Sequence, residues 1–244
     1  MIEIRALHTH DEFVEAVALQ QSIWGFDEVE LLPVRLFVTA TKVGGQAFGA
    51  FDGSRMIGFC LAIPGIKTGG KCYLHSHMLG VVKEYRDSGV GRLLKLEQRK
   101  EALGRGIDLM EWTFDPLEIK NAYFNMERLG AIVRRYVLNQ YGTTTSKLHS
   151  GLPTDRCVAE WWMAGPRTQA ILNGAPRERE PEMARISVPA EIYEIKESDP
   201  ARAREIQKRV SDQFLENFGK GLTVTGFERT PQSGSYIFST WDSK

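Results

Sequence analysis

Residues 78–95, MLGVVKEYRDSGVGRLLK, constrain the fold of this chain more than any other stretch. An apolar run that reads as a strand passes through a charged turn with two glycines one residue apart, Gly89 and Gly91, and continues with the spacing of a helix. A strand that enters a helix this way leaves the amides of the first helical turn without intrahelical acceptors, and no side chain at either glycine covers them. Such a corner suits an anion, most often a phosphate.

Around the corner the periodicity alternates between strand and helix. IEIRAL (2–7) reads as a strand, and HDEFVEAVALQQSIWG (10–25) as a helix closed by Gly25. LLPVRLFVTATKVGG (31–45) reads as a helix with Pro33 in its first turn. QAFGAFDG and RMIGFCLAI form a hairpin pattern around Asp52, Gly53 and Ser54, and CYLHSHMLGVV is the strand that feeds the corner. A helix follows from Gly89 to Leu103, then the strand IDLMEWTFD. LEIKNAYFNMERLG places Ile119, Ala122, Met126 and Leu129 on one face of an amphipathic helix. AIVRRYVL and CVAEWWMAG supply two further strands. The expectation is an α/β (α+β) fold: a central mixed sheet flanked by helices.

After about residue 165 the texture changes. GPRTQAILNGAPREREPEMA reads as a solvated connector, followed by a strand (ARISVP), a helix (DPARAREIQKRVSDQFLENFG) and two strands (LTVTGFE, GSYIFSTW). The expected division is a main domain over 1–165 and an extension over 166–244 that packs on it.

Charge narrows the partners. With 31 Lys plus Arg against 31 Asp plus Glu, the chain has no global field to recommend nucleic acid or an anionic membrane. No apolar run approaches the length of a membrane span, and the first twenty residues lack the apolar core of a signal peptide. Cys60, Cys72 and Cys157 are odd in number and far apart, which fits reduced thiols and a cytoplasmic setting.

Other phosphate loops fit less well. GIKTGGKC (65–72) approaches the nucleotide loop G-x-x-x-x-G-K-[ST], but Cys72 replaces the magnesium-binding hydroxyl and a strand follows, so it reads as a hairpin turn. GVGRLL begins like a dinucleotide fingerprint, with Leu94 where the third glycine belongs. What remains is R-x-x-G-x-G, Arg86 to Gly91.

With that motif, MIGFCLAI before it and NAYFNMERLGA after it, the chain resembles the GCN5-related N-acetyltransferase (GNAT) superfamily over residues 2–165. The resemblance implies that acetyl-CoA or another acyl-CoA sits on the corner. Arg86, Asp87, Ser88, Gly89, Val90 and Gly91 would hold its pyrophosphate, with Asn121 also at the cofactor. The backbone of Val81 and Val82 would pair with its pantetheine arm like an added strand.

Acyl transfer to an amine needs a base, since amines with pKa values of about 8 to 10 are largely protonated at neutral pH. His75 and His77 are two apart in YLHSHML, so both point to one face of the strand, and an imidazole titrating near pH 6.5 suits the task. Six residues before Val81, His75 occupies the place from which the superfamily often takes its base. The H-x-H pair is similar to that of arylalkylamine N-acetyltransferases, where two histidines relay the proton. The same pair also fits a hydrogen-bonded structural role, or zinc with Cys72 as a further ligand, although other ligands at recognisable spacing are lacking and no metal is expected.

The resemblance places a thiol-protonating tyrosine four residues before Gly130, where this chain has Met126; Tyr123, one turn earlier, is the substitute. Glu111 and Asp115 are candidates for a substrate ammonium, Arg156 for a carboxylate, and Trp24 and Phe26, in the segment that lines the acceptor site in this superfamily, for apolar contact. The expected activity is N-acyl transfer, most simply acetyl, to a small amine or amino acid, from a monomer or homodimer. The alternative is a non-catalytic module that binds acyl-CoA and signals through the extension.

Overall fold

The computed structural model describes residues 1–142, 151–176 and 179–241, which divide into two compact units at residues 111 and 112. The first unit opens with β1 (Ile2–Ala6), α1 (His10–Trp24) and α2 (Val34–Lys42). α1 begins on a reciprocal capping box, Thr9 with Glu12, and ends on left-handed Gly25. β2 (Gln46–Asp52), β3 (Arg55–Ile66) and β4 (Cys72–Val81) follow, then α3 (Val90–Gly104) and the start of β5 (Leu109–Phe114). β1 through β4 are antiparallel neighbours in chain order. β5 joins β4 in parallel at Leu74↔Met110 and His75↔Glu111, while β4 itself runs on to Val81. The GIKTGGKC segment is the β3–β4 hairpin, as its pattern predicts.

Alternation on these strands sorts their side chains between two helical layers. Phe59 packs on Phe37 of α2 and edge-on to Trp24 of α1. Its neighbour Cys60 faces the opposite way, toward Lys95 of α3. One irregularity re-aims β4: Ala62 pairs with Ser76 and Leu61 with Met78, so His77 is an inserted bulge residue. Alternation sets His75 and His77 together on the α1 side, and the bulge carries that face on through Met78 to Gly80, which faces Trp24.

The second unit continues β5 and adds α4 (Ile119–Tyr123), β6 (Ile132–Val137), β7 (Arg156–Trp162), α5 (Pro166–Leu172), β8 (Ala184–Pro189), α6 (Ile192–Ser198), α7 (Pro200–Gly219), β9 (Thr223–Arg229) and β10 (Ser233–Ser239). Its strand order is β5–β7–β6–β9–β10–β8. β6 pairs with both β7 and β9, so chain from either side of residue 165 shares one sheet. Aromatic packing fills its centre, with Phe214 of α7 in contact with Tyr136, Tyr236 and Phe238.

Two elements differ from the sequence reading. The expected amphipathic helix is one α-helical turn followed by a π-helical segment, Phe124–Leu129, although Ile119, Ala122, Met126 and Leu129 are all buried as its period requires. The segment read as a solvated connector contains α5, which starts on Gly165 with proline in its first turn and packs Thr168 against Gly130.

Candidate functional site

The corner between β4 and α3 is built from backbone. Val82 donates its N–H to Ile57 O (2.9 Å) and accepts from Tyr85 N–H (3.0 Å), so its main chain is engaged on the β3 side. Alternation then turns the main chain of Val81 to the other edge of β4, where Arg86 Nε donates to its carbonyl at 3.2 Å. Arg86 Nη2 also donates to Ile23 O at 3.1 Å, so this side chain ties the loop to the end of α1. Asp87 is left-handed at φ 61° and Gly89 at φ 90°, a conformation that costs a non-glycine residue roughly 1–2 kcal/mol.

Among the described residues no side chain caps α3, and the Ser88 hydroxyl turns away to Tyr85 O (2.6 Å). The N–H groups of Arg92 and Leu93 reach back to Gly89 O, leaving those of Val90 and Gly91 as the open donors of the first turn. A Cβ added at Gly89 would meet no atom within 4 Å, and Arg92 Nε, in the same turn, is buried with no hydrogen-bond partner. Uncapped amides, an open glycine and an orphaned guanidinium nitrogen together fit a diphosphate.

On the α1 side of β4 the His75 and His77 rings stand 6.0 Å apart, inclined at 42°. Burial pulls the His77 imidazole below its ordinary pKa of 6.5, so it is neutral at physiological pH. Between them Ser76 points the other way, into a buried network that sequence reasoning missed. Lys95 Nζ donates to Ser76 Oγ (2.8 Å), and Ser76 Oγ donates to Gln98 Oε1 (3.0 Å). Burial lowers the Lys95 ammonium to about 7 against the opposing influence of Cys60, whose own thiol burial raises to about 12. The signal was present: Lys95 and Gln98 are three apart, on the stripe of α3 that also buries Leu94 and Ala102.

Glu111 is the register partner of His75 and is buried, with Lys67 Nζ at 2.6 Å from its Oε1. The same ammonium lies 4.5 Å from the centre of the Tyr73 ring. Trp24 stacks on Phe26 at 5.8 Å and lies over Gly80, where an added Cβ would come within 2.6 Å of its ring. The first unit therefore brings together the corner, both histidines, Glu111 and Trp24 with Phe26.

The remaining candidates belong to the second unit. Tyr123 ends α4 with the Arg229 guanidinium 4.0 Å over its ring, and Asn121 is exposed one turn-edge earlier on the same helix. Met126 is fully buried. Asp115 accepts from Leu117 N–H (2.8 Å) and from Lys196 Nζ (3.1 Å), which also reaches Glu118 at 3.2 Å. Arg156 is buried, donates to Asp155 O (2.8 Å) and lies 5.3 Å from the Tyr141 ring. Asp115 and Arg156 thus make internal contacts, a use of charge that spacing alone does not reveal. Among the described residues no three His, Cys, Asp or Glu side chains gather as a metal site, and no helix is long and apolar enough to cross a membrane.

This mixed, mostly antiparallel sheet with its glycine corner is the acyl-CoA N-acyltransferase fold of the GNAT acetyltransferases. An acetyltransferase of the GNAT family from Desulfovibrio desulfuricans is similar to the chain with TM-score 0.54 at 15% identity, over 67% of this chain and 100% of its own. NAA60 of Arabidopsis thaliana, in complex with acetyl-CoA, gives 0.53 at 16%, over 66% and 99%. An aminoglycoside 6'-acetyltransferase of type Ii gives 0.53 at 19%, over 67% and 98%. No protein-family model matches the sequence, and no curated protein matches it.

Proposed function

We propose that this chain is an acyl-CoA-dependent N-acyltransferase, in the first place an N-acetyltransferase, acting on the amine of a small molecule or amino acid by direct attack in a ternary complex. The observation that carries this reading is the uncapped start of α3, with open Gly89 and the orphaned Arg92 Nε, on a fold shared with acetyltransferases. The amides from Asp87 to Gly91 hold the diphosphate, and the edge of β4 at Val81 orients the pantetheine arm. Acyl-CoA, when bound, supplies a thioester whose C–S bond breaks as the amine nitrogen bonds to the acyl carbon. His75 and His77 take the proton of the attacking amine, directly or through water, and the neutral state of buried His77 suits that step. Tyr123 is the candidate donor to the departing sulfur, although a thiol with pKa near 8.5 leaves tolerably without one.

One observation favours a non-catalytic acyl-CoA sensor: Met126, where the superfamily usually has tyrosine, is fully buried. Calorimetry with CoA, and thiol release from acetyl-CoA across a panel of amines, separate the readings. An enzyme releases thiol in a manner that His75→Ala abolishes, whereas a sensor binds CoA and releases none above background. A chain with no affinity for CoA overturns both.

A further inference from the structure

We infer that β1 is a docking edge for a second copy of this chain, so that two protomers pair β1 against β1 about a two-fold axis through Ile4 and their sheets join into one. The inference is independent of the acyltransferase reading.

β1 is the terminal strand of its sheet and pairs with β2. Leu7 N–H donates to Ala47 O at 2.9 Å, in phase with the β1–β2 register, so the odd-numbered residues of β1 exchange their main-chain bonds with β2. Alternation then turns the N–H and C=O groups of Ile2, Ile4 and Ala6 outward. Among the described residues, the hydrogen bond made to this outward row is that of Arg5 Nη1 on Ala6 O at 3.3 Å, which leaves the carbonyl a second lone pair. Open edges invite pairing with another chain, and proteins blunt them with proline, lysine or a bulge. β1 carries none of these. The contrast is the edge of the second unit at β8, where Pro189 lacks an N–H and Arg209 Nη2 donates to Ser187 O at 3.2 Å.

The sequence of β1 points to its own copy as the partner. Residues 2–6, IEIRA, are self-complementary when read antiparallel about Ile4: Ile4 faces Ile4 of the partner subunit, Ile2 faces the partner's Ala6, and Glu3 faces the partner's Arg5. The outward groups of Ile2, Ile4 and Ala6 then fall on hydrogen-bonded pairs, and the two Glu3–Arg5 pairs fall on the closer, non-hydrogen-bonded ones. Registers shifted by two residues keep the outward groups in phase but fail on charge. With Ile2 opposite the partner's Ile4, Glu3 meets its own copy; with Ile4 opposite the partner's Ala6, Arg5 does. The side chains are available for the favoured register. Glu3 is exposed and makes no ion pair among the described residues, and Arg5 uses Nη1 for Glu12, which leaves Nε and Nη2. Ile2, Ile4 and Ala6 are half-buried against the core, with exposed area that the partner covers.

Two paired five-residue strands bury less than the roughly 1,200–2,000 Å² of a stable interface, so the dimer is expected to dissociate in the micromolar range. The test is sedimentation equilibrium of the full chain from about 1 to about 200 μM, with hydrogen exchange at both ends of that range. The wild type is expected to shift from monomer to dimer, with the Ile4 amide exchanging at least about tenfold more slowly in the dimer. Glu3→Lys, at an exposed position, should weaken the dimer at least about tenfold by setting two cations opposite each other at both pairs. Arg5→Glu should weaken it likewise, and an equimolar mixture of the two variants should restore dimerisation, because both cross-strand pairs are then of opposite sign. A wild type that stays monomeric at the highest concentration, or that dimerises with no slowing at Ile4, overturns the inference. A Glu3→Lys dimer of unchanged affinity does so too, as does a mixture of the two folded variants that stays monomeric. The wild-type and Glu3→Lys outcomes decide the matter even where Arg5→Glu, which also loses its bond to Glu12, fails to fold.

Discussion

His75 and His77 stand 6.0 Å apart on one face of β4, and a bulge leaves His77 without a register partner on β3. Burial lowers the His77 pKa, so protonation of this ring occurs below its ordinary value of 6.5. The acid limb of kcat/KM for thiol release should then fall below pH 6.5, and His77→Gln should move that limb. His75→Ala should lower kcat by about two orders of magnitude or more, the range for loss of a positioned base. The linked stability effect has a definite sign. The unfolded chain binds a proton at His77 more readily than the folded one, so His77 contributes stability above about pH 6.5 that declines as the pH falls below it. A rate profile unchanged in shape by His77→Gln would remove this histidine from the chemistry.

The two glycines of the corner should respond differently to alanine. Gly89 has φ 90° with open space beside it, so Gly89→Ala should cost roughly 1–2 kcal/mol of stability and put a methyl group where the anion is to approach. Gly91 lies inside α3, and its added Cβ would meet only Leu79 Cδ2 at 3.5 Å, an ordinary contact. Gly91→Ala should be neutral or stabilising by up to about 1 kcal/mol, as expected for removing glycine from a helix. Thermal unfolding and CoA titration of the two variants check this. Gly89→Ala should weaken CoA binding at least tenfold and Gly91→Ala less than twofold, and equal affinities would contradict the proposed cradle.

Gly80 is required by Trp24. A methyl group there would lie 2.6 Å from Trp24 Cη2 and 2.9 Å from Ile23 Cδ1, both in the last turn of α1. Gly80→Ala should therefore destabilise by about 1–3 kcal/mol through overpacking. The companion change Trp24→Leu makes room, so the double variant should be more stable than the sum of the single effects predicts. Urea denaturation of the four proteins gives the coupling. Strict additivity would show that the ring yields at no cost.

Much of this fold is legible in local pattern, and the exceptions have physical causes. The corner at 78–95 is readable because glycine spacing, a strand before it and an amphipathic helix after it all agree. Period-two alternation suffices to put His75 and His77 on one face, but the bulge that carries this phase on to Gly80 comes from β3 pairing and has no local signature. Residues 119–129 bury the face their period indicates, yet the π-helical turn is set by tertiary packing, with Asn125 Oδ1 accepting from Trp112 Nε1 at 3.2 Å. Asp115 reads as a free carboxylate next to a strand end because its partner, Lys196, is 81 residues away in sequence. The ion pair of Lys67 with Glu111 is hidden for the same reason, at a separation of 44 residues.

Lys95 offers the sharpest test of the packing behind β4. Its ammonium is buried against Ser76 Oγ at 2.8 Å and Met110 Sδ at 4.0 Å, with the Cys60 thiol nearby, and burial lowers its pKa from 10.5 to about 7. Below about pH 7 the lysine is charged in both folded and unfolded chains, and the folded state bears the desolvation penalty. Between about pH 7 and about pH 10 the unfolded chain still binds this proton while the folded chain has released it, so stability should rise with pH across that window by a few kcal/mol. Cys60 does not interfere, since its thiol stays protonated until about pH 12. Lys95→Met keeps the length of the side chain and removes the titration. The variant should be more stable than wild type near pH 6, with the advantage shrinking as the pH approaches about 9 and the neutral amine keeps its hydrogen bond to Ser76. Urea midpoints of both proteins at several pH values measure the two curves, and parallel curves would mean that Lys95 remains charged in the folded chain.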